Sequence, residues 1–166
     1  MSANIKDDKV NIFIRESQLI EARSFLGSGL YSAMQEDFED ITKSFTNPEY
    51  TALMFGANYT NYAGVDVIFN GYANALIYFS YARFLLQQQL NVSRFGLESI
   101  QDTISEDAPV AQIRTKSKEA LSVALQYQKD TSLFLESKNK ETPPPYPEYN
   151  RNETKPKKTS FTFFKL

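Results

Sequence analysis

Between Asp66 and Arg83 the chain carries no charged side chain. Residues 71–90 (GYANALIYFSYARFLLQQQL) place apolar or aromatic groups at nearly every angular position of a helix, so a helix here needs neighbours on most of its sides. The apolar run is interrupted by Asn74, Ser80 and three tyrosines, and it falls short of the roughly 20 residues a bilayer demands. A buried central helix at about 71–90 is therefore expected, and no membrane span.

The neighbours of that helix can be read from periodicity. Ile14, Leu19, Ile20, Ala22, Phe25 and Leu26 fit a short amphipathic helix ending at Gly27 and Gly29. From 29 to 45, Leu30, Met34, Phe38, Ile41 and Phe45 fall within an arc of about 80°, opposite Glu36, Asp37, Glu39 and Asp40, which predicts a second helix with an acidic face. Asn47-Pro48 supplies a cap and a first-turn proline for a third helix closing on Gly56. Residues 57–70 alternate around Gly64 and read as a small hairpin or extended arm. Residues 91–107 lack helical period and read as a long loop, with one strand near 97–100. Asp107 and Pro109 then open a helix at about 108–138. One stripe runs along it through Val110, Ile113, Ala120, Leu121, Ala124, Tyr127, Thr131, Phe134 and Leu135. The fold class is mainly α: a helical bundle around the central helix and the long C-terminal helix.

Chemistry is narrowed by what the chain lacks. Without cysteine, histidine or tryptophan it has no thiol nucleophile, no imidazole or thiolate metal site and no histidine general base. Glu36 and Asp40 stand at i, i+4 on one predicted face, the spacing a carboxylate-dependent hydrolase or metal site would use. No Gly-rich phosphate loop or nucleophile elbow accompanies them, so a solvated face is the expectation, with no enzyme activity, catalytic residue, metal or cofactor. Arg83, the first charge after the uncharged run, is expected to have a structural carboxylate partner. No basic, apolar leader opens the sequence, and synthesis in the cytoplasm is expected.

The composition shifts after Lys140. Pro143, Pro144, Pro145 and Pro147 favour polyproline II, and a polar, charged stretch leads to SFTFFKL at the C-terminus. Net charge is −2 overall, with five Lys/Arg against three Asp/Glu in 141–166, which leaves −4 on 1–140. Neither part has the concentrated basic footprint of a nucleic-acid reader. The division expected is a helical body at 1–140 and a tail at 141–166 that ends in a docking strand. Tyr146, Tyr149, Phe161, Phe163, Phe164 and Leu166 would be its partner-binding residues.

In order along the chain, "LGSGLY" at 26–31, "PEYTALMFG" at 48–56, "NYTNYAGVDVIFNGYANALIYFSYARFL" at 58–85 and "FGLESIQDTISEDAP" at 95–109 lead to a long helix ending near "YPEYN". This order resembles the head–tail connector (adaptor, or portal-proximal ring) proteins of tailed phages, most of all those of crAss-like phages. It covers about residues 12–149. What the resemblance implies is a structural virion protein, made in the host cytoplasm and placed at the head–tail junction. There a homo-oligomeric ring of about twelve copies docks on the portal protein, meets other connector or tail proteins and extends the DNA channel. On that reading Glu36, Asp37, Glu39 and Asp40 face either the channel or solvent. The alternative is another virion or adaptor module that docks through its aromatic tail.

Overall fold

Helix formation begins earlier than the apolar pattern suggests. The computed structural model describes residues 7–61, 63–87, 90–93, 96–99 and 110–149. In it α1 (Asp7–Ser17) passes through a π-helical turn (Gln18–Ala22) into α2 (Arg23–Asp37). Gly27 breaks α2 in two: its φ of 81° and ψ of 159° lie outside the helical region, at a cost that only glycine avoids. Leu26, Leu30 and Met34 form the buried side.

The helix expected to continue to Phe45 stops at Asp37. Phe38–Glu39 (β1) instead pairs antiparallel with Ser44–Phe45 (β2), with Phe38 opposite Phe45. Lys43 turns the chain in a left-handed conformation, φ 56°, and its N–H donates to the Glu39 carbonyl at 2.8 Å. In a helix the two phenylalanines would stand two turns, about 10 Å, apart. The hairpin brings their rings to 5.1 Å in an edge-on contact. Ile41, assigned to the apolar stripe by helical counting, sits on the turn and is 90% exposed.

The next helix, α3 (Pro48–Phe55), starts where its sequence requires: Asn47 Oδ1 accepts the Glu49 N–H at 2.9 Å, with proline in the first turn. The 57–70 segment forms a hairpin of Ala57–Thr60 (β3) and Asp66–Phe69 (β4), with Ala57 opposite Phe69. Glycines flank it at both ends. A Cβ on Gly71 (φ 88°) would lie 2.4 Å from the Met54 carbonyl oxygen, and one on Gly56 (φ 106°) 2.4 Å from that of Phe69. The end of α3 and the approach to the next helix thus cross backbone against backbone.

That next helix is α4 (Tyr72–Gln87), the uncharged run. Tyr72, Ala75, Leu76, Phe79 and Ala82 are buried, and α1, α3 and the last helix pack against it. Its coverage leaves one narrow strip open. Ile77 and Tyr81, one turn apart, are 62% and 46% exposed, because the packed elements line the opposite arc of the cylinder.

Past α4, Leu90–Ser93 (β5) pairs with Gly96–Ser99 (β6) as a third hairpin, where the sequence suggests a loop with a single strand. The last helix, α5 (Val110–Lys138), is about 45 Å long and packs extensively along α4. Its expected opening at Asp107 and Pro109 lies outside the described residues. Ala120 and Ala124 let the two helices approach, and Ser117 Oγ donates to the Ala82 carbonyl at 3.0 Å. Leu121, expected in the buried stripe, stands about 100° round from Ala120 and is exposed. The described residues form a mainly helical architecture with three two-stranded hairpins. Among the described residues no helix is long and apolar enough to cross a membrane.

Candidate functional site

The chain beyond α5 folds back onto the body. Asn139 clamps the main chain of Tyr146 from both sides: its Nδ2 donates to the Tyr146 carbonyl at 2.9 Å, and its Oδ1 accepts the Tyr146 N–H at 3.1 Å. The Tyr146 ring is fully buried, 6.5 Å from that of Tyr50 and 6.0 Å from that of Phe134, and its hydroxyl donates to the Glu49 carbonyl at 2.7 Å. Burial, reinforced by the Glu49 carboxylate beside it, pushes the Tyr146 phenol well above its ordinary pKa. Tyr146 is therefore a core residue and not part of a free docking tail. Tyr149 is half-buried against the same core. The body runs to at least Tyr149, past the boundary expected at 140. A large aromatic ring finds a closed pocket with a carbonyl acceptor here, and proline content gives no sign of it. Phe161, Phe163, Phe164 and Leu166 lie outside the described residues.

Tyr146 completes a row of aromatic contacts through the molecule. Phe134 stacks on Phe69 at 4.3 Å and meets Tyr59 edge-on at 5.2 Å, while Tyr50 meets Phe45 edge-on at 6.2 Å. The segment after α5, the first two hairpins, α3 and α5 are joined in one cluster.

The four carboxylates do not share a helix face, because the helix meant to carry them ends among them. Glu36 is exposed on α2. Asp37 turns inward, where its Oδ2 accepts the Asn47 N–H at 2.9 Å and ties the end of α2 to the start of α3. Glu39 accepts from the Thr42 hydroxyl, and Asp40 pairs with Lys43 at 3.3 Å, both on the exposed hairpin. Among the described residues no group of three or more acidic side chains gathers as a metal site would require.

Arg83 bridges two carboxylates of the N-terminal segment. Its guanidinium pairs with Glu21 and lies 3.6 Å from Glu16, with the arginine side chain 29% exposed. Sequence reasoning missed both partners for a geometric reason. At 100° per residue, positions five apart diverge by about 140°. The π turn, in which the Arg23 N–H bonds to the Gln18 carbonyl five residues back, widens the helix between them. Nearby, Tyr72 is fully buried, and burial, with the Glu21 charge adding to it, raises its phenol well above the ordinary value; among the described residues its hydroxyl has no hydrogen-bond partner.

Two surface features stand out from this framework. The first is the exposed Ile77 and Tyr81 on α4, with further exposed apolar residues at Ile12, Leu19 and Ile20 on the N-terminal segment and Leu121 and Leu125 on α5. The second is a groove of about 500 Å³ between α2, the β1–β2 hairpin and α3. Met34, Phe38, Phe45, Met54 and Leu76 line it, with Phe55 on an exposed wall and Asp40 at the rim.

Residues 24–159 match a family of unknown function, DUF6712. No curated protein and no solved structure matches the chain. The matched stretch takes in nearly all of α2, the three hairpins, both central helices and the Tyr146 anchor, and the chain belongs to the DUF6712 family.

Proposed function

We propose that this protein is a structural subunit of a head–tail connector ring in a tailed phage, docking on the portal and extending the DNA channel toward the tail. The observation that carries the self-assembly part is the outward face of α4. Its chain segment carries no charge from 67 to 82, yet Ile77 and Tyr81 stand exposed on it. An apolar stripe on an otherwise packed helix is the usual mark of a protein interface. Further apolar residues stand out on α1, the π turn and α5, so one subunit has more than one surface for neighbours. Contact between two different surfaces, repeated with a closing rotation, makes a ring. The phage setting comes from the order of sequence blocks that resemble connector proteins. A channel lining made of Glu36, Asp37, Glu39 and Asp40 is not part of the proposal, since Asp37 points inward and Glu36 stands on α2 whereas Glu39 and Asp40 lie on the hairpin.

Native mass spectrometry and negative-stain microscopy of the full chain, alone and with the portal of the same phage, test this reading. Closed rings on the portal are the expected result. Ile77→Lys with Tyr81→Lys should leave helicity unchanged and abolish those rings. A monomer that binds a partner through the tail alone would replace the connector reading with that of an adaptor module.

A further inference from the structure

We propose that the groove between α2, β1–β2 and α3 is the seat of the chain's own C-terminal segment, residues 160–166, held there in the single subunit. This goes beyond the connector reading and does not depend on it.

Four observations converge. The groove is apolar where it is deepest, at Met34, Phe45, Met54 and Leu76, and a volume of about 500 Å³ is in the range of sites that enclose a group of several rings. The segment SFTFFKL supplies three phenylalanines and a leucine within its seven residues. Charge is complementary: residues 150–166 carry five Lys/Arg against one Glu, while the end of α2 and the hairpin beside the groove expose Glu36, Glu39 and Asp40 against the cation Lys43, which pairs with Asp40, a net negative rim. The β1–β2 hairpin has no third strand among the described residues, so a peptide lying along the rim has an edge to pair with.

Reach decides between the chain's own segment and that of another copy. The last described residues lie beside α2, where the Glu148 carbonyl oxygen is 3.3 Å from the position a Cβ on Gly29 would take. The groove residue Met34 follows on the same helix, about 8 Å along its axis, and Phe38 stands just past the helix end. Twelve residues from Tyr149 to Phe161 span up to about 40 Å when extended. A tether with that much slack presents the segment to its own groove at an effective concentration in the millimolar range, above that of any other copy in dilute solution. Seating it also covers three phenylalanines that would otherwise invite aggregation.

The test uses the full chain with p-benzoylphenylalanine in place of Phe163, irradiated as an equal mixture of unlabelled and 15N-labelled protein. Cross-linked peptides should join position 163 to residues 31–45 or 54–55, with both halves of one isotope composition. Phe55→Asp removes an exposed wall and is not a core change; it should lower the cross-link yield at least about fivefold with unchanged circular dichroism. Cross-links to other regions, mixed-isotope products or a yield indifferent to Phe55→Asp would each overturn the assignment. Ring formation on a portal has no bearing on these readouts, so the two proposals fail separately.

Discussion

The hydroxyl of Tyr146 donates to the main-chain oxygen of Glu49 at 2.7 Å, joining positions 97 residues apart. Through this contact the segment after α5 is anchored on the first turn of α3. Tyr146→Phe keeps the ring and loses one hydrogen bond, which should lower unfolding free energy by about 1 kcal/mol. Tyr146→Ala also opens a cavity beside Tyr50 and Phe134 and should cost about 3–5 kcal/mol. Urea denaturation of the two variants checks the ranking; equal, small losses would mean that the ring is not a core group.

Gly71 and Gly64 separate crowding from conformation. Both have positive φ, but a Cβ at Gly71 would meet three backbone atoms between 2.4 and 2.7 Å, whereas one at Gly64 meets nothing within 4 Å. Gly64→Ala should cost about 1 kcal/mol from backbone strain alone. Gly71→Ala should exceed it by at least about 2 kcal/mol, because main chain on both sides must move. Thermal melting of the pair decides, and similar melting temperatures would contradict the close crossing of α3 and α4.

Arg83→Met leaves Glu21 and Glu16 without their cation. The pair with Glu21 is partly exposed, so the loss should lie between that of a surface ion pair and a buried one, about 1–2 kcal/mol. Adding Glu21→Gln should recover part of it, since the half-buried carboxylate is then gone. A double-mutant cycle with no coupling would show the bridge to be incidental.

Stability should fall at high pH because tyrosines are buried, Tyr72 and Tyr146 most strongly and Tyr50 in the same direction. Tyr72 and Tyr146 hold their phenol protons more tightly in the folded chain than in the unfolded one, whose tyrosines titrate near 10.0. Their contribution is complete below that value. Above it the unfolded chain releases protons that the folded chain keeps, and stability declines by up to about 1.4 kcal/mol per pH unit for each tyrosine. Urea midpoints measured from pH 9 to 11.5 should drop accordingly, and more shallowly in Tyr72→Phe. A Tyr72→Phe slope as steep as that of the parent would remove Tyr72 from this account.

What the sequence determined by itself were features governed by neighbours in the chain. The Asn47-Pro48 start of α3, the stop at Gly56, the break at Gly27 and the long helix at 110–138 follow from capping, backbone freedom and period. The uncharged run likewise fixed which helix lies at the centre. Tertiary structure decided the rest, because the competing local options differ by little and distant partners tipped them. Residues 38–45 satisfy a helical stripe on paper, yet Phe38 meets Phe45, and Phe45 meets Tyr50, only if the helix ends at Asp37. Glu16 and Glu21 reach Arg83 through a π turn that no 100° count contains. Tyr146 sits in a proline-rich stretch with no periodicity of its own, and its burial depends on Asn139, Glu49, Tyr50 and Phe134, which come together only once α3 and α5 are packed. The groove beside Phe55 exists for the same reason: its walls come from the π turn, α2, a hairpin, α3 and α4, and only packing sets them side by side.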